Sequence, residues 1–193
     1  MKNLKVAFQK NKGFTLIEFI LGFSLTTLLL SSIFMIFNYS TNISQMGNEM
    51  DEILLNGRYA VEYIKGEIMS ADKIICSSKF NELNYRYPTN IGFVILHITK
   101  NNRTKDKYKY NYITYYVENN ELKRIACEGL EDRYPKGEYF SGFNQVCTLM
   151  VDLSKTQLDT KNSLIYLHLT IGEKLKKSMD FKSTIYIRCP IEY

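Results

Sequence analysis

Apolar positions follow three different patterns along this chain. From Phe19 to Phe37 nineteen residues pass without a charge. A helix needs about 20 such residues to cross a ~30 Å hydrocarbon core. From Ile43 the apolar residues thin to a stripe: Ile43, Met46, Met50, Ile53, Gly57, Val61, Ile64 and Ile68 recur every three or four positions, with Asn48, Asp51, Glu52, Arg58, Glu62 and Lys65 off it. That spacing predicts a helix with one buried face. No proline occurs before Pro88, so both patterns read as one helix from Phe14 to about Ala71. A heptad coiled coil is the competing reading of the stripe, weakened by its short run and by Gly57 and Gly66.

Beyond Ser70 the period changes to two. Ile91–Thr99 reads as a largely buried strand. Tyr108–Cys127 reads as a hairpin turning at Asn119-Asn120, with Ile113, Tyr115 and Val117 on one face and Tyr112, Thr114 and Tyr116 on the other. Gln145–Leu153, Ser163–Gly172 and Phe181–Cys189 read as three further strands. The stretches EDRYPKGEYFSG and SKTQLDTKN between them read as turn-rich loops. No repeat, linker or second domain interrupts the pattern. The expected architecture is α+β, a long N-terminal helix whose second half packs on an antiparallel β-sheet.

Charge adds a direction to this picture. The 193-residue chain carries a formal +5, and Lys2, Lys5, Lys10 and Lys12 supply four of those charges, leaving +1 for the rest. No acid lies among the first thirteen residues. Basic residues before an apolar span stay on the cytoplasmic side, which places everything after Phe37 outside the cytoplasm. A secretory signal would need a small-residue cleavage site, for which Ser31-Ser32 or Tyr39-Ser40 serve only loosely. An uncleaved signal anchor fits better, except for one residue.

That residue is Glu18. A carboxylate inside a membrane helix costs on the order of 2.5–3.5 kcal/mol at the bilayer centre and less near an end, and a plain anchor gains nothing from it. Were the chain cut between Gly13 and Phe14, Phe14 would carry a free ammonium one helical turn from Glu18. A neighbouring subunit's Phe14 could then pair with Glu18 in low dielectric, setting the register of lateral assembly. The segment KGFTLIE, Lys12–Glu18, resembles the N-terminal processing signature of type IV pilins and pseudopilins, a basic leader ending in glycine followed by Phe-Thr-Leu-Ile-Glu. The resemblance covers about thirty residues. It implies a leader over 1–13, cleavage between Gly13 and Phe14 by a prepilin peptidase, N-methylation of Phe14, and Glu18 as the assembly carboxylate. Residues 14–37 would then form the membrane and assembly half of the helix and 38–193 an extracytoplasmic pilin-like domain. The implied partners are other pilin or pseudopilin subunits, a membrane assembly platform and the cytoplasmic membrane. Many major pilins kink this helix with proline; here Gly22 or Ser31-Ser32 would have to supply a bend. Tyr115–Arg124 (YYVENNELKR) and Ile185–Cys189 (IYIRC) more loosely resemble J-type minor pseudopilins and W-type minor pilins, although Cys189 stands where that family usually has asparagine.

Other chemistry is sparse. Cys76, Cys127, Cys147 and Cys189 allow two disulfides in any of three pairings, or buried free thiols. Their closest sequence spacing, twenty residues, suits no zinc site. His97 and His168 each sit alone in a predicted strand. No phosphate-binding glycine loop, nucleophile elbow or HExxH motif is present, so neither enzyme activity nor a cofactor is expected. Lys105, Lys107 and Lys109, interleaved with tyrosines in KNNRTKDKYKY, form the one candidate patch for DNA or another polyanion. The competing reading is a solvated strand edge guarded by lysines. A minor pilin or pseudopilin and a membrane-anchored binding module outside any filament are the two functional expectations.

Overall fold

The computed structural model describes residues 13–100, 108–129, 133–172 and 178–193. The chain divides into two compact units, Met1–Asn48 and Glu49–Tyr193. Helix α1, Leu16–Met69, is unbroken over 54 residues. In the first unit every helical residue is exposed, and the most apolar window has a mean hydropathy of 2.1. Length and composition make this helix able to cross a membrane.

The second unit is α+β. Its strands are β1 (Lys73–Cys76), β2 (Phe93–Lys100), β3 (Tyr108–Glu118), β4 (Glu121–Gly129), β5 (Ser141–Cys147), β6 (Met150–Asp152), β7 (Gln157–Asp159), β8 (Leu164–Gly172), β9 (Ser178–Tyr186) and β10 (Ile191–Glu192). A short helix α2, Leu83–Arg86, lies between β1 and β2. Six strands form one sheet in the order β10-β1-β2-β3-β4-β5, antiparallel except for the parallel pair β1 and β10. The other four form a second antiparallel sheet around β8, with β6 and β7 on one side and β9 on the other.

One core joins the back half of α1 to both sheets. Ile53, Ala60, Ile64 and Ile68 of the helix meet Ile74, Phe93, Ile95, Ile113, Tyr115 and Leu122 of the first sheet. Ile165, Leu167, Leu169, Ile171 and Ile185 of the second sheet complete it. The opposite face of the first sheet is buried too: Ile75, Val94, Leu96, Tyr112 and Ile125 pack with Phe80, Leu83 and Phe140 from the connecting segments. Burial on both faces explains why β2 and β3 run apolar without strict alternation.

Several details differ from the sequence reading. The helical stripe is buried only from Ile53 onward, with Ala60 joining it, whereas Ile43 and Met46 remain exposed. One sheet was expected and two form. Gln145–Leu153, read as one strand, is split between the sheets as β5 and β6, and Leu149 takes a positive φ of 59° at the break. The SKTQLDTKN loop contains β7, and the other loop holds a 3-10 turn at Gly137–Tyr139. The last long strand begins earlier and ends at Tyr186. The Asn119-Asn120 turn forms as read, with both residues at positive φ, 53° and 61°, as a type I′ turn needs.

Gly57 has a packing role that its helix propensity does not suggest. A Cβ placed there would lie 2.2 Å from the Phe181 ring of β9. Glycine therefore lets the ring rest on the helix backbone.

Candidate functional site

The base of α1 is built by Thr15 and Glu18. Thr15 precedes the first helical residue and Glu18 is the third, the positions of a capping box. The Thr15 backbone N–H donates to Glu18 Oε2 at 2.9 Å, and the Thr15 hydroxyl donates to the same oxygen at 2.9 Å. In return the Glu18 N–H donates to Thr15 Oγ1 at 3.3 Å. The two ends of the box satisfy groups that a helix N-terminus otherwise leaves unpaired. Glu18 is thus partnered within its own chain, a role the sequence reading missed although Thr-x-x-Glu announces it. Both donors reach Oε2, and Oε1 has no partner among the described residues.

Gly13 and Phe14 lie just before this box, and Phe14 is 89% exposed. Because the box uses nothing before Thr15, it would survive removal of residues 1–13. The lysine-rich leader through Lys12 lies outside the described residues. Beside the box, Phe14, Glu18, Phe19, Gly22, Phe23 and Thr26 line a shallow hollow of about 420 Å³.

Polar side chains in the apolar half are satisfied locally. The Ser24 hydroxyl donates to the Leu21 carbonyl, Thr26 to Gly22, Thr27 to Ser24, Ser31 to Thr27 and Ser32 to Leu28, all at 2.7–2.9 Å. Each hydroxyl hydrogen therefore has a partner within the helix, which hydrocarbon surroundings demand.

In the second unit the main polar feature is a clamp from helix to sheet. Arg124 Nε donates to Glu67 Oε1 at 2.8 Å, and the Tyr115 hydroxyl donates to Glu67 Oε2. Tyr63 packs edge-on against Tyr115, their centroids 6.4 Å apart. Tyr115 and Arg124 are cross-strand neighbours on β3 and β4, so the hairpin register delivers both to one carboxylate. Burial first, and then the Glu67 charge, push the Tyr115 phenol well above its ordinary range. The sequence shows these residues but not their pairing, because Glu67 is fifty-seven positions from Arg124.

The other candidates do not gather into a site. Cys76, Cys127, Cys147 and Cys189 are all free. Burial raises the thiols of Cys127 and Cys189, and that of Cys147 to about 11, which makes them poor nucleophiles. Cys147 lies opposite Leu122 on β4, five positions from Cys127 on that strand. Lys105 and Lys107 lie outside the described residues. Lys109 is held by Glu128 at 2.7 Å, so its charge is already matched. His97 faces Asn111 across β2 and β3, and His168 lies beside Asp180 on the second sheet. Among the described residues no cluster of three His, Cys, Asp or Glu could hold a metal.

No protein-family model, curated protein or solved structure matches this chain.

Proposed function

We propose that this chain is a minor pilin or pseudopilin, a non-catalytic subunit that helps initiate or cap a pilus-like filament. Its precursor is anchored with the leader lysines in the cytoplasm and the sheet domain outside. A prepilin peptidase removes residues 1–13 and exposes the Phe14 amine, which is then methylated. The observation that carries this reading is the fixed register Gly13-Phe14-Thr15-x-x-Glu18 at the base of an all-round apolar helix. The open Oε1 of Glu18 gives a neighbour's Phe14 ammonium an acceptor, while Oε2 stays with Thr15. The hollow along Phe14, Gly22 and Thr26 gives an adjoining helix room to approach. Other filament subunits and the assembly platform are the partners.

The capping box favours a second reading, in which Glu18 only starts its own helix and the chain is a single-pass anchored binding module. Two substitutions separate them. Glu18→Gln keeps an acceptor for Thr15 but removes the charge; Glu18→Ala removes both. In the pilin reading both variants are processed, yet neither enters sheared filament fractions. Filament entry of Glu18→Gln at the normal level contradicts the charge pair and leaves the cap as the whole role of Glu18.

A further inference from the structure

The sheet edges of the second unit differ in how well they are protected. On the first sheet, β10 is two residues long, and β5 is irregular against β4 at two places and starts beside Gly142 at φ 64°. On the second sheet, β6 and β7 are three residues each. Short or bulged edges resist further strand pairing. Strand β9 is neither short nor bulged, and its guard against indiscriminate strand pairing is the exposed charge of Lys182. It pairs with β8 over nine successive residues without a register shift, contains no proline, and has no strand on its other side among the described residues.

Its side chains sort cleanly by face. Met179, Phe181 and Ile185 turn to the core, while Asp180, Lys182, Thr184 and Tyr186 are exposed. The Asp180 side chain is 43% exposed; Oδ1 accepts the Thr170 hydroxyl at 2.8 Å, and Oδ2 stands 3.2 Å from His168 Nε2 without hydrogen-bond alignment. Lys182 has no ion-pair partner among the described residues.

We infer that the open edge of β9 is an interaction surface for the β9 of a second copy of this chain, paired antiparallel about Phe181. The charges select this partner and this register. Side chains on one face of a continuous antiparallel sheet oppose only residues of the same face. Centring the two-fold on Phe181 sets Asp180 of each copy opposite Lys182 of the other, giving two complementary pairs. The neighbouring registers that keep the faces matched, centred on Asp180 or Lys182, put like charges directly opposite. Pairing over 178–184 joins the second sheets of two copies into one. This surface is independent of cleavage at Gly13–Phe14, so its failure leaves the proposed filament role untouched.

Full-length chain solubilised in detergent, mixed equally from unlabelled and heavy-nitrogen preparations, is treated with a zero-length carbodiimide and analysed by peptide mass spectrometry. The expected product is an Asp180–Lys182 cross-linked peptide carrying one light and one heavy strand. Sedimentation of Lys182→Glu should show a dimer weakened about tenfold or more, because both pairs become repulsive. The doubly swapped Asp180→Lys, Lys182→Glu chain should recover the wild-type dimer. Cross-links confined to single-isotope peptides, a monomeric wild-type chain, or a Lys182→Glu chain that dimerises normally would each overturn the inference.

Discussion

The two halves of α1 share a backbone conformation and differ in the surroundings their side chains suit. Before Asn48 every helical residue is exposed, including Leu25, Leu28, Leu29, Leu30, Ile33 and Phe34 at 60–66%. After Glu49 the helix buries Ile53, Gly57, Ala60, Ile64 and Ile68 on one face. The first half closes its polar groups internally, with hydroxyls bonded back to its own carbonyls. The second uses polar groups to reach the rest of its unit, through Glu67 to Arg124 on β4 and through Asn56 to Thr148 in the β5–β6 connection. Hydrophobicity alone does not distinguish a core helix from a membrane helix. The distribution of apolar groups around the axis, and the destination of each polar group, does.

A matched pair of truncations separates the two halves of α1 most strongly. Ile64→Ala removes a fully buried side chain and should destabilise the second unit by about 2–5 kcal/mol. Leu29→Ala, in the exposed half, should leave the denaturation midpoint of that unit unchanged. Urea melts of the full chain in detergent would compare them. Equal losses would mean that the apolar half is also packed in the protein interior.

The clamp gives the next largest effect. Glu67→Gln should cost about 2 kcal/mol, because the Arg124 charge is left half-buried without its carboxylate. Replacing Arg124 as well should recover part of that loss, and a double-mutant cycle would measure the coupling. Independent, additive losses would contradict a single clamp.

The smallest effect is an acid dependence of the second unit. Hydrogen bonds from the Ser154 backbone, Asn162 and Thr170 lower the carboxyls of Asp152, Asp159 and Asp180, and Lys73 lowers that of Glu192. Folded values below the unfolded ones contribute stability that is present above the ordinary carboxylate range and lost as pH falls through and below it. These groups are largely solvent-facing, so the loss is modest and screened by salt. Thermal melts should therefore fall gently in acid. A midpoint that rises as pH falls would reverse the sign of the argument.

Much of this architecture is legible in the sequence because it depends on period. Nineteen uncharged residues, a three-four stripe and the Asn119-Asn120 turn each mark a local element. The division into two sheets was not legible, since Gln145–Leu153 carries one continuous strand pattern and breaks only where Leu149 adopts positive φ. The role of Gly57 depends on Phe181, more than a hundred residues away, and no local pattern links them. At the base of α1 the balance was reversed. Thr15 and Glu18 stand at capping-box spacing, a local pattern, whereas a pairing of Glu18 with a neighbouring subunit has no local signature.

In the proposed filament role residues 1–13 are removed, which would give Phe14 a free amine within reach of a neighbour's Glu18. N-terminal peptide mass spectrometry on protein from its native membrane tests this most directly. The expected peptide begins at N-methylated Phe14. A mature peptide that retains Met1–Gly13, in cells with an active prepilin peptidase, would contradict it and leave Glu18 as the cap of an ordinary anchor.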